Sequence, residues 1–193
     1  MTKLYPSAVG VAYTPATIRG AWEKTTGHAV CGMGSAKDLS GLGGPLSINS
    51  AETVNTTDYD VLLLRCVSAP LAANCNFSGT LNVMMAVQES NADADLAYYV
   101  HAFVTQGDTD NLRGTLLANY NDLNTNEWGT TALGKALSAA ASLTAVSALT
   151  GDRIVIEIGY RARNTLTSSR SGTIYYGGSG SDLIPYSVNT NLK

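Results

Sequence analysis

The chain has 193 residues and a net charge of −3 at pH 7, with 14% charged and 45% hydrophobic residues. So few lysines and arginines exclude the phosphate-neutralising footprint of a nucleic-acid binder, and this much apolar side chain at low net charge excludes intrinsic disorder. Small neutral residues fill about half of the chain and there are two histidines, a composition that favours a scaffold or binding surface over an enzyme.

Met1 to Pro6 lacks the apolar run of a secretory signal, and no stretch nears the ~18 apolar residues of a membrane span. The expectation is synthesis in a cytoplasm without membrane insertion. Residues 1–50 read as an extended, loop-rich N-terminal arm, of the kind that reaches a neighbouring subunit, and residues 51–193 as a β-sandwich domain. Glycines crowd positions 27–44 ahead of Pro45, which disfavours one regular element, and Trp22 is the arm's packing anchor.

Strand patterns begin after Tyr59. Val61 to Val67 is a short apolar run closed by Pro70, as in a buried strand. Leu81, Val83, Met85 and Val87 alternate with Asn82, Met84, Ala86 and Gln88, the period of two of a half-buried strand. Tyr98 to Thr105 is aromatic and β-branched and stops at Gly107-Asp108. Thr131 to Ala148 has helical propensity without a helical stripe, and reads as a loop or short helix followed by a strand at about 142–148. Ile154, Ile156, Ile158 and Tyr160 form the cleanest alternation, and Thr173 to Tyr176 is a last short strand. Many strands without amphipathic helices between them predict an all-β, jelly-roll-like antiparallel β-sandwich.

Chemical motifs are sparse. Gly129 to Ala136 nearly spells a phosphate-binding loop, but Ala136 replaces the hydroxyl that would hold Mg²⁺. His28 and Cys31 lack the second ligand pair of a zinc site, and His101 shares a predicted strand face with Tyr99 and Phe103, as a hydrogen-bonded histidine does. There is no G-x-S-x-G elbow. Glu89 and Glu157 lie on strands, but nothing places them opposite one another as glycosidase carboxylates. Asn91-Ala-Asp93-Ala-Asp95 and Asp108-Thr-Asp110-Asn111 are oxygen-rich without the full calcium-loop pattern, so turns are the simpler reading. Arg161, Arg163 and Arg170 suit either an acidic partner or a charged sheet edge. The sequons at Asn55 and Asn76 matter only in a secreted eukaryotic protein. Cys31, Cys66 and Cys75 read as three buried free thiols acting as small hydrophobes; the alternative is a bridge between Cys66 and Cys75, which flank the loop Val67–Asn74. These readings imply no catalytic residue, cofactor or metal.

Tyr13-Thr-Pro-Ala-Thr-Ile-Arg-Gly-Ala-Trp22, Asp60-Val-Leu-Leu-Leu-Arg65, Ser78-Gly-Thr-Leu81, Glu89 to Asp95, Val104 to Asp108, Arg113 to Leu117, Asn126-Glu-Trp128, Gly151 to Tyr160, Ser171 to Gly177 and Ser181-Asp-Leu183 form an ordered set of motifs. As a set they resemble bacteriophage and prophage virion proteins of similar length. The resemblance implies a jelly-roll-like sandwich on a virion surface, without catalytic residues to carry over. The expected function is therefore a non-enzymatic capsid decoration (cement) or other particle-surface protein, bound to capsid or tail proteins and forming a homo-oligomer. The alternative is a carbohydrate-binding or receptor-binding module that stacks surface glycan on Trp128, Tyr98, Tyr99, Tyr175 or Tyr176.

Overall fold

A computed structural model of the chain describes residues 2–7, 11–34, 46–52, 57–122, 126–163, 168–176 and 187–192. The strands in chain order are β1 (Thr2–Ser7), β2 (Ala29–Gly34), β3 (Leu46–Ala51), β4 (Tyr59–Ser68), β5 (Cys75–Glu89), β6 (Leu96–Thr105), β7 (Leu112–Asn121), β8 (Leu133–Ala136), β9 (Ala141–Ala148), β10 (Arg153–Ala162), β11 (Ser171–Tyr176) and β12 (Ser187–Leu192). One 3₁₀ turn, Ala92–Ala94, precedes β6. Among the described residues no helix is long and apolar enough to cross a membrane.

The strands form two packed sheets. The first runs β3-β11-β5-β12-β1, with β8 and β9 along the other side of β5; the second runs β1-β2-β4-β10-β6-β7. β1 belongs to both: residues 2–4 pair with β12 and residues 5–7 with β2. The segment read as an extended arm thus contributes β1 and β2 to one sheet and β3 to the edge of the other. The protein is an all-β sandwich, as its alternation predicts. The strands at 61–67, 98–105, 154–160 and 173–176 appear with slightly wider bounds. The strand at 81–87 starts six residues earlier, because β5 spans two successive neighbours on each side. The Ala-rich stretch holds β8 and β9 and no helix; β5's free edge supplies hydrogen bonds that outweigh helical propensity there.

Alternate residues of β6 and β10 fill the space between the sheets: Leu96, Tyr98, Val100, Ala102 and Val104 against Ile154, Ile156, Ile158 and Tyr160. At one end Trp128 stands edge-on to Tyr98 (5.3 Å between centroids) and Tyr160 (5.8 Å), a favoured quadrupole geometry. Two phenols tie the sheets together. Tyr160 Oη donates to Ser50 O on β3 at 2.8 Å. Tyr98 Oη lies 3.2 Å from Met85 O on β5 and 3.1 Å from Lys135 O on β8. Burial pushes both phenols upward in pKa, so they stay protonated donors.

β4, β6 and β10 are buried on both faces, so something besides the first sheet covers the second. That cover is residues 11–24. At Gly159, where the β4–β10 ladder shifts register, a Cβ would sit 2.9 Å from the Trp22 ring of this cover and 1.9 Å from Val61 O on β4. Gly159→Ala is therefore expected to lower stability in urea unfolding by ~3 kcal/mol, at the upper end for overpacking. Gly27→Ala, in open space at φ +85°, should lose only about 1–2 kcal/mol to left-handed strain.

Candidate functional site

The outward residues of β4, β10 and β6 meet in cross-strand rows: Val67–Val155–Phe103, Arg65–Glu157–His101 and Asp60–Arg161–Ala97. The first row is apolar, packed against Val11 and Val30. The second is a line of ionisable groups in the middle of the sheet, with Glu157 fully buried, Arg65 2% and His101 5% exposed. A charge there needs compensating partners, and the 11–24 strap provides them.

Glu157 Oε2 accepts from Gly20 N at 2.8 Å and from the Trp22 indole Nε1 at 3.0 Å, and Oε1 from Arg19 N at 3.1 Å. Arg65 Nε lies 3.5 Å from Oε1, while its Nη1 and Nη2 donate to Pro15 O (2.7 Å) and Thr17 O (2.9 Å). The carboxylate thus binds strap amides and the guanidinium binds strap carbonyls. Glycine at position 20 permits the descent, since a Cβ would meet Trp22 Nε1 at 2.3 Å and Glu157 Oε2 at 3.0 Å. Burial draws the Arg65 guanidinium below its ordinary range, with Glu157 acting against it.

Further contacts fix the strap's borders. Asp110 Oδ1 accepts from Ala16 N (2.7 Å) and Asp110 O from Arg19. Trp22 stands edge-on over Tyr99 at 4.8 Å, and the Arg19 guanidinium lies 5.5 Å from the Phe103 ring centre. Arg161 clamps Asp60 through two bonds, 2.6 and 2.5 Å, and lies over Tyr99. Asn119, at φ 49°, accepts from Ala21 N and meets His101 Nδ1 at 3.1 Å. Burial draws the His101 imidazole down in pKa, against the pull of Glu157 and Asn119. Its Nε2 is buried without a hydrogen-bond partner. In this row Glu157 is committed to anchoring, and the buried nitrogens without a hydrogen bond are His101 Nε2 and Arg65 Nε, the latter ion-paired with Glu157.

The other sequence candidates fall elsewhere. Glu89 and Glu157 are not brought together. Glu89 is buried at the end of β5, where it accepts from Leu96 N at 3.3 Å and shares a hydrogen bond with Glu127. The stretch 129–136 leads into β8 rather than a helix, so it lacks the helix N-terminus of a phosphate loop. His28 Nδ1 bonds Thr25 O. Asn91 caps the 3₁₀ turn through Asp93 N, and Asp108 pairs with Arg153. Among the described residues no three His, Cys, Asp or Glu side chains gather as metal ligands. Arg161 is ion-paired, Arg163 is exposed, and Arg170 N donates to Glu52. Of the sequons, Asn76 lies on β5 and Asn55 lies outside the described residues. Trp128 and Tyr98 are core, Tyr99 lies under Trp22, Tyr176 is buried, and the half-buried Tyr175 donates to Gln88 at 2.7 Å.

No family model matches the chain, and no curated protein does. Solved structures do. An α-amino acid ester hydrolase labelled with selenomethionine superposes on 100% of this chain and 36% of its own, with TM-score 0.51 and 12% identity. An aminopeptidase from a marine sediment archaeon (Thaumarchaeota) covers 84% of this chain and 34% of its own, with TM-score 0.47 and 10% identity. This chain spans about a third of the length of each. The comparison corrects the functional expectation: the full-length likeness is to part of a hydrolase, and the non-enzymatic capsid-decoration reading, with its glycan-binding alternative, gives way.

Two measurements test these assignments. Arg65→Met strands Glu157 without its cation and should lower stability by ~3–5 kcal/mol in chemical denaturation, with faster amide exchange at Arg19 and Gly20. Burial, with Glu127 and Asp95 adding to it and the Leu96 amide opposing, pushes Glu89 from 4.5 up to about 7. A raised carboxyl pKa favours the fold fully below its unfolded value, and that contribution is lost as pH rises through about 7. Glu89→Gln should therefore match the parent Tm at acid pH and exceed it above neutrality.

Proposed function

We propose that the chain is the β-sandwich unit of a hydrolase that cleaves ester or amide bonds of amino-acid derivatives, and that its strand path is jelly-roll-like. The carrying observation is the superposition of the whole chain on part of an ester hydrolase. The strapped sheet fits a unit that must hold its shape: buried ion pairs and a neutral, desolvated imidazole resist rearrangement once their partners are in place. His101 Nε2 is buried under the strap without a hydrogen-bond partner.

The test is hydrolysis of α-amino acid p-nitrophenyl esters and p-nitroanilides, by the purified protein and by the tagged chain isolated with whatever binds it in its own cells. Saturable turnover above the buffer rate in either preparation is the expected result. Buffer-level rates in both, across the neutral pH range, would overturn the reading.

A further inference from the structure

We propose that Cys31 and Cys66 form a dithiol–disulfide modification site that staples β2 to β4. The two residues are register partners across the one parallel pairing among the described strands. Neighbouring strands lie ~4.8 Å apart, within the ~4.4–6.8 Å Cα separation that a disulfide spans. Both side chains point into the core, 1% and 0% exposed, and their sulfurs already face one another, with the Cys31 thiol donating to Cys66 Sγ at 2.9 Å. Cys75 lies on the other sheet, opposite Ala148, which removes it as the partner of Cys66.

β2 is the strand for which a covalent tie matters most. It follows the strap directly, meets β1 over three register pairs, and holds β4 through parallel bonds, the weaker kind per residue. The adjacent row pairs Val30 with Arg65, the residue whose guanidinium holds the strap carbonyls. A bond at Cys31–Cys66 therefore fixes the strap's exit next to its anchor.

The oxidant is a low-molecular-weight disulfide of the glutathione class. One cysteine thiolate attacks its S–S bond, giving a mixed disulfide and releasing one thiolate. The second cysteine, deprotonated, displaces the other thiolate and closes the protein S–S bond. Two protons and two electrons leave the protein, and the oxidant becomes two thiols. Because both sulfurs are buried and burial pushes the Cys66 thiol up in pKa, exchange takes place before β2 docks or when it opens.

The experiment is refolding of the full chain in reduced and oxidised glutathione, alkylation of remaining thiols, and non-reducing peptide mapping. The expected result is a Cys31–Cys66 cross-linked peptide with Cys75 alkylated, and a Tm that falls when the bond is reduced with dithiothreitol. Cys31→Ala and Cys66→Ala should each abolish the cross-link, and Cys75→Ser should keep it. Alkylation of all three cysteines after oxidative refolding, or a cross-link containing Cys75, would overturn the proposal. Ester hydrolysis plays no part in this readout, so the outcome is independent of the hydrolase reading.

Discussion

A carboxylate with no exposure to water sits in the middle of β10, and the second sheet is arranged around it. Glu157 cannot remain charged in such a place without donors, and no bulk solvent reaches it. Two backbone amides, an indole and a guanidinium take that role, and the amides and the indole belong to a segment more than a hundred residues upstream. The charge therefore specifies where the strap lies, because a shift of one residue would withdraw an amide from Glu157 and a carbonyl from Arg65. Apolar packing around Val155 and Phe103 is less discriminating, since hydrophobic contact has no direction.

The two faces of the second sheet are held by different physics. Between the sheets, aliphatic side chains and a Trp–Tyr edge-on cluster supply the bulk of the burial, and two tyrosine hydroxyls carry hydrogen bonds across the gap. On the outer side, paired charges and main-chain groups do the holding. A double mutant that replaced Arg65 and Glu157 together by apolar residues would separate stability from specificity, because good packing often matches a buried pair energetically but has no direction with which to set the strap's register.

How far the chain was legible follows from this division. The strands around Ile154–Tyr160 and Tyr98–Thr105 announce themselves by alternation, because their inward residues are uniformly apolar. Alternation says nothing of what covers the outward His101, Glu157 and Arg161 of these strands, or Arg65 on β4: three of the four are nearly inaccessible and Arg161 is spent on Asp60. Nothing local in the sequence marks residues 11–24 as their cover; the nearest signal is the company that Arg19-Gly20-Ala21-Trp22 keeps with charges placed mid-strand. β7 shows no clean alternation, because register shifts interrupt its ladder with β6. β1 contains Pro6 and β2 contains Gly32 and Gly34, residues depleted in strands, so neither is recognised apart from its partners. Function was the least legible, since fold likeness came from the whole superposed path and from no single motif.

The double membership of β1 has a consequence for the order of assembly. Thr2 faces Thr190 across the β1–β12 ladder, so these pairings join the most distant parts of the described chain. Loop-closure entropy opposes contacts of such separation until intervening structure has shortened the effective loop. The β4–β10–β6 triplet can gather much earlier from closer segments. The molecule is accordingly completed at a seam, where the first strand locks the two sheets together after each has taken shape.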